Sequence, residues 1–346
     1  MNIAIIDADL IARTKHRFPN LVSMKLSGYW KDKGAQVVLK TDYEGLEEFD
    51  KVFISKVFTD TPIDGSILDL PNVEYGGTGF FFDKAPNLPY EIEHHMPDYH
   101  LYDQFVQAKL EAGYKRSEFK EYLDYSIGYV TRGCFRKCGF CVNRKYDKAF
   151  IASPLCEFYD ESRPKICLLD DNFLSHPDWK KILEQLRATG KPFKFKQGLD
   201  ERLLTDEKVE LLCRSRYDGE ITFAFDKIGD YQLIEQKLKM IRRHTNKRFM
   251  FYVLVGYESQ DAQDIENAFK RIALLIKYRC LPYIMRYEAY RSSRYKDMYI
   301  QLARWVNQPS FFKKVSFREF IEITQQARKD QNILHKAKKS VGRIRT

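Results

Sequence analysis

Tyr125-Ser126-Ile127-Gly128-Tyr129-Val130-Thr131-Arg132-Gly133-Cys134-Phe135-Arg136-Lys137-Cys138-Gly139-Phe140-Cys141 joins an apolar run to three cysteines within eight residues. The first half reads as a strand and the second as a tight loop beyond its carboxyl end. Spacings of three and two residues bring three thiolates to one side of the loop, and Gly133 and Gly139 are expected to supply the positive φ that such wrapping needs. Three thiolates fill only part of a metal's coordination shell. They suit three irons of a [4Fe–4S] cube and leave the fourth iron open to a small molecule. Zinc is the other reading of clustered thiolates. Structural zinc sites close with a fourth Cys or His at a second short spacing, whereas here the next cysteine is Cys156 and no histidine follows until His176.

Outward from this loop the pattern is regular. Apolar strand candidates lie at residues 125–131, 165–170, 193–197, 220–226, 248–255 and 281–287, separated by five intervals read as helical. Trp179, Ile182, Leu183 and Leu186 mark the apolar face of one helix; Ile265, Ala268, Phe269, Ile272 and Ile276 mark that of another. Strands alternating with helices imply right-handed βαβ units on a parallel sheet. Six strands predict a partial (β/α)6 barrel rather than a closed barrel of eight. Chemistry in such folds gathers at the carboxyl ends of the strands. There the sequence places the cysteine loop, Asp170-Asp171-Asn172, Gln197 to Arg202, Asp226-Lys227, Gly256-Tyr257-Glu258 and Arg286. Taken singly, Asp170 or Asp171 also reads as a helix cap, and Asp200 or Arg202 as half of an ordinary ion pair.

Before residue 89, short apolar runs at 3–6, 37–39, 52–58 and 73–75 alternate with an amphipathic stretch at 21–30, which predicts a small α/β domain. The cluster Gly76-Gly77-Thr78-Gly79 reads as a turn. Residues 89–124 form a connector rich in Pro, His and Tyr, whose His94, His95 and His100 read as packed or exposed linker side chains rather than metal ligands. The expected organisation is therefore an α/β chain: a Rossmann-like domain at 1–88, the connector, the partial barrel at 125–290, and a helical segment at 291–346 that ends in a basic tail.

At 346 residues and 44% hydrophobic, the chain can bury a large core of more than one domain. No apolar stretch approaches a membrane span, and MNIAIIDADLIARTK reads as a buried strand followed by polar residues, not as a signal peptide. Seven cysteines, three of them clustered, suit a reducing cytoplasm. Cys156, Cys167, Cys213 and Cys280 read as small core side chains. Of the net charge of +10, the last nineteen residues carry +6: seven Lys or Arg against Asp330 alone. This is a tail property, equally the mark of a solvated terminus, and does not by itself imply nucleic acid.

The Cys-x₃-Cys-x₂-Cys spacing, with an aromatic residue before the last cysteine, resembles the radical S-adenosylmethionine (radical SAM) enzymes over about residues 125–290. The resemblance implies a [4Fe–4S] cluster on Cys134, Cys138 and Cys141. It also implies S-adenosylmethionine chelated to the open iron and split to a 5′-deoxyadenosyl radical that takes hydrogen from a substrate. Phe140 is then expected near the adenine. Asp170 and Asp171 stand where the family presents a Gly-Gly-Glu-like segment, while Val253, Val255 and Gly256 resemble the adenine-lining motif of the fifth strand. Gln197, Asp200, Arg202 and Asp226 complete the expected cofactor site. An electron donor of the reductase, ferredoxin or flavodoxin type is implied.

The N-terminal domain resembles the cobalamin-binding type that accompanies some members. It lacks the Asp-x-His-x-x-Gly motif, since Asp7-Ala8-Asp9-Leu10 follows the first strand and His16 is the only histidine before residue 91. Cobalamin is not expected; a vestigial scaffold or a substrate-binding domain is. The methylthiotransferase branch needs three further cysteines in its first domain, and there is none before Cys134. The substrate stays unidentified, with nucleic acid or nucleotide slightly preferred. Two other readings stay open: a nucleic-acid-binding protein with a structural metal loop and basic tail, and an inactive cluster and SAM sensor.

Overall fold

The computed structural model describes residues 1–312 and 314–326; the basic tail at 328–346 lies outside the described residues. The chain is mixed α/β with parallel sheets. It divides into two compact units, Met1–Ile221 and Thr222–Thr346, and the boundary falls within the stretch 125–290 that the sequence pattern presents as one domain.

In the first unit, β1 (Asn2–Asp7), β2 (Gln36–Lys40), β3 (Lys51–Ser55) and β4 (Val73–Gly76) make a parallel sheet in the order β2-β1-β3-β4. Ile3, Ala4, Ile5 and Ile6 are all buried, as an unbroken apolar run requires when both faces of a strand are covered. Helix α1 (Leu21–Asp32) starts at Asn20, whose side chain accepts from the Ser23 amide, and packs Leu21, Met24 and Leu26 into the core beside Ile3 and Ile5. The glycine cluster after β4 is a close-packed turn. Gly77 has φ +108°, and a Cβ there would lie 2.3 Å from the Lys56 carbonyl oxygen.

The connector is more than a linker. Tyr99, Tyr102, Phe119 and Tyr122, with Val106 of α2 (Asp103–Glu111), are buried in the core that holds Ile3, Ile5 and Ile127. Tyr102 Oη donates to the buried Asp7 carboxylate at 3.0 Å. Tyr99 Oη donates to the Phe158 carbonyl at 2.6 Å and accepts from the Ile127 amide at 2.8 Å. His94, His95 and His100 pair with Glu157, Asp32 and Asp103 respectively.

A second parallel sheet of this unit follows. It orders β5 (Tyr125–Gly128), β8 (Lys165–Leu168) and β9 (Phe193–Phe195) as β5-β8-β9, while β6 (Thr131–Arg132) and β7 (Phe150–Ile151) form a short antiparallel ladder around the cysteine loop. Helix α3 (Trp179–Ala188) buries Ile182, Leu183 and Leu186, as its spacing predicts, and α4 (Asp206–Arg214) follows β9. The interval between β5 and β8, however, carries no α-helix. The ladder and loop take up its first half, and Pro154 and Pro164 remove backbone donors from the second.

The second unit has the strand order β10-β11-β12: β10 (Ile221–Ala224), β11 (Phe249–Val255) and β12 (Leu281–Arg286), the last two parallel. Its helices are α5 (Tyr231–His244), α6 (Ala262–Lys277) and α7 (Lys296–Val306). On α6 the buried face runs through Ile265, Ala268, Ile272 and Leu275; Ile276, which the periodicity places on it, is 50% exposed. Leu302, Trp305 and Phe320 are buried. No helix among the described residues is long and apolar enough to cross a membrane.

Candidate metal centre

The three cysteines lie on an aperiodic loop that other parts of the first unit hold from several sides. Gly133 takes φ +91°, and a Cβ there would meet the Lys148 carbonyl oxygen at 2.3 Å, so glycine is required where the chain turns into Cys134. Gly139 does not take a positive φ. The left-handed residue within the loop is Lys137, at φ 23°. Its ammonium reaches the Arg144 carbonyl at 2.7 Å across the loop's mouth, which holds that turn.

Two adjacent carboxylates just beyond β8 fix the loop. Asp170 is fully enclosed and accepts from the amides of Val130 (3.2 Å) and Thr131 (2.8 Å) and from Thr131 Oγ1 (2.6 Å). Burial pushes its pKa up to about 7, against the pull of those donors. Asp171 accepts from the Gly133 amide at 2.7 Å and from the Asn143 side-chain amide, one residue before the first cysteine and two after the last. Burial raises its pKa as well. The helix-cap alternative does not apply to either, because their oxygens serve the cysteine loop. Behind the loop, Arg144 pairs with Asp83 at 2.7 Å and Lys145 donates to the Ala85 carbonyl at 3.0 Å.

Hydrogen-bond donors face the sulfurs. The Arg136 amide lies 3.4 Å from Cys134 Sγ, the Asn143 amide 3.4 Å from Cys141 Sγ, and the Asn172 side-chain amide 3.2 Å from Cys134 Sγ. Burial, followed by smaller like-charge effects from Asp171 and the other two cysteines, raises the Cys141 thiol above its ordinary value. Asn172 is 4% exposed and also donates to Asp200 at 3.3 Å. The carboxylate fixes the amide's orientation, since only its amino end can face Asp200. The Asn172 Oδ1 thus points elsewhere and has no hydrogen-bond partner. Asp200 in turn receives Arg136 Nε and, at 2.8 Å, Arg202 Nε.

The first unit therefore brings Cys134, Cys138, Cys141, Asp170, Asp171, Asp200 and Arg202 into one neighbourhood. Phe140 lies on the loop, half-buried, and Gln197 is exposed past the end of β9. Arg136 and Asn143 are members that strand-end reasoning does not reach. Arg136 is visible in the sequence only as a charge between two cysteines, and nothing in its spacing assigns it to Asp200.

In the second unit, Val253 and Val255 are buried in β11. Gly256 has φ +74° and donates to Asp264 at 2.7 Å. Asp226 accepts from the Leu254 amide at 3.3 Å. Arg271 is 2% exposed and donates to the carbonyls of Phe225, Asp226 and Leu254 at 2.9, 2.7 and 2.8 Å, tying the ends of β10 and β11.

Cys167 and Cys280 are buried core thiols, raised by burial to about 12 and about 11, whereas Cys156 is exposed and Cys213 half-buried, contrary to the core reading of those two. Among the described residues no three His, Cys, Asp or Glu side chains converge on a single metal ion. A cube distributes its thiolates over separate irons, so convergence on one point is not its requirement. The donor set fits such a group: three half-buried cysteines, N–H groups on two of their sulfurs, and a buried amide oxygen left unpartnered beside them. No family model matches the chain, and no curated protein matches it.

Proposed function

We propose that this chain is a radical SAM enzyme, built from a Rossmann-like N-terminal sheet and a partial (β/α)6 barrel with a C-terminal helical segment. The parallel strands of the two sheets, with helices in the intervals other than that between β5 and β8, support that architecture. The observation that carries the function is the Cys134–Cys141 loop, held just beyond the carboxyl ends of β5 and β8 by Asp170 and Asp171, with N–H donors on the Cys134 and Cys141 sulfurs. Cys134, Cys138 and Cys141 would hold a [4Fe–4S] cluster. When bound, that cluster supplies the electron that splits the sulfonium of S-adenosylmethionine into methionine and a 5′-deoxyadenosyl radical.

The chain's own residues do the rest. Asn172 and the loop amides lower the charge density on the sulfurs, which makes the reduced state easier to reach. The Asn172 Oδ1 offers an acceptor to an incoming N–H donor. Arg136, anchored through Nε to Asp200, offers the outer edge of its guanidinium to a carboxylate. Phe140 supplies a flat apolar surface beside the third cysteine. The substrate is an organic molecule with an abstractable hydrogen, with nucleic acid or nucleotide slightly preferred.

The test is anaerobic. The protein is reconstituted with iron and sulfide, reduced with dithionite and mixed with S-adenosylmethionine; the expected results are a perturbed reduced-cluster EPR signal and 5′-deoxyadenosine on chromatography. Cys138→Ala is expected to lose the cluster and the cleavage together. Cleavage retained by that variant, or a wild-type protein that takes up only zinc, overturns the reading.

A further inference from the structure

Apart from the cysteine loop, the first unit contains an open trough of about 630 Å³ between β2, the segment after β1, and α2. That volume lies within the range of small-molecule sites. Its floor is apolar, with Leu10, Leu39, Leu101 and Phe105, and Ala108 and Ala112 leave room along the α2 side. Its charged lining is of one sign: Arg13, Arg17, Lys31 and Lys109, with no Asp or Glu.

The carboxylates that face these cations from neighbouring elements decide where positive charge remains. Arg13 pairs with Asp60 and lies 3.7 Å from Asp9, and Lys31 pairs with Asp98 at 2.7 Å. His100 pairs with Asp103 at 2.8 Å, and burial holds the His16 pKa below its ordinary value. Arg17 donates through Nη1 to the Thr14 and His16 carbonyls at 2.9 and 2.7 Å, its nearest carboxylate is Glu118 at 3.7 Å, and its Nε has no hydrogen-bond partner. Among the described residues Lys109 has no carboxylate within ion-pair distance. Instead, Arg17 and Lys109 lie against the same Tyr114 ring, at 5.4 and 5.7 Å from its centre. An acidic group placed beside that ring would be attracted to both cations.

We infer that this trough binds a small organic anion, its acidic group between Arg17 and Lys109 and its apolar body along Leu39, Leu101 and Phe105. The site does not depend on the cluster reading. The lining also lacks any residue of β3 or β4, so it is not the crevice between β1 and β3 where strand order reverses and α/β sheets usually bind ligands.

The test uses the full chain and 1-anilinonaphthalene-8-sulfonate, an apolar body bearing one anionic group. Saturable fluorescence enhancement is expected. Lys109→Gln should weaken it about tenfold, the size of one charge-assisted hydrogen bond. Ala108→Trp, at an exposed helix position, should fill the trough and abolish binding. Both variants should melt with the wild type; if Ala108→Trp does not, Lys109→Gln decides alone. Displacement of the probe by hexyl phosphate but not hexanoate, or the reverse, identifies the acidic group. Displacement by neither, non-saturable binding, or wild-type affinity in Lys109→Gln overturns the inference.

Discussion

Asp7 ends β1 with its carboxylate buried, receiving Tyr102 Oη at 3.0 Å and the Leu10 amide at 3.2 Å. Burial raises its pKa from 3.8 to about 7. Between those values the folded chain keeps a proton that the unfolded chain releases. The stability this group contributes is therefore complete below about pH 4 and is lost as pH rises through about 7. From about pH 5 to about pH 8 the wild type should lose up to about 3 kcal/mol through Asp7, and Asp7→Asn should be spared that loss, as read by urea unfolding at both pH values. Equal losses in the two proteins would mean that Asp7 is already ionised in the fold at the lower pH. Gly133 is a second residue-scale determinant. Its φ is +91°, and any Cβ at this position would stand 2.3 Å from a backbone oxygen. Gly133→Ala should therefore cost the loop about 2 kcal/mol or more. Iron bound per chain after reconstitution should fall, and cleavage by protease within the loop should speed up. Wild-type iron content with unchanged protease resistance would show that the loop tolerates a side chain there.

At the scale of elements, Arg271 of α6 joins β10 to β11 through three carbonyls. Arg271→Met keeps the buried length but leaves those acceptors without a donor, at a cost of about 3–5 kcal/mol. Hydrogen exchange at the β10 and β11 amides should accelerate; unchanged protection would mean that water replaces the guanidinium. Periodicity could not announce this role, because a buried arginine interrupts the apolar face that a reader follows. Apolar runs located the strands at 165–168, 193–195, 249–255 and 281–286, and the spacing of Ile182, Leu183 and Leu186 gave the buried face of α3. The β6–β7 ladder was silent, since two-residue strands have no period. The tyrosines of the connector looked like linker residues until their hydroxyls met Asp7 and the backbone of Ile127. For the site, cysteine spacing located the loop and strand ends located Asp170 and Asp171. That these carboxylates turn inward to hold the loop follows from side-chain direction in aperiodic backbone, which spacing does not encode.

For the whole molecule, the question is what the net charge of +10 is for. A chain ending at residue 327 keeps only +4, since the last nineteen residues supply seven Lys or Arg and one Asp. The binding-protein reading places function in that tail, whereas the enzyme reading places it in the cysteine loop. The two make opposite forecasts for one truncation. Each phosphate contact steepens the salt dependence of duplex binding by roughly 0.9 in a plot of log K against log salt, so loss of the tail should flatten that slope by several units. On the binding-protein reading the truncated chain binds duplex nucleic acid more weakly and with less dependence on salt. On the enzyme reading its yield of 5′-deoxyadenosine from S-adenosylmethionine, measured under the same anaerobic conditions, equals that of the full chain. If truncation instead abolishes S-adenosylmethionine cleavage while the cluster's EPR signal persists, the tail belongs to the catalytic unit, and charge and chemistry are not separable in this chain.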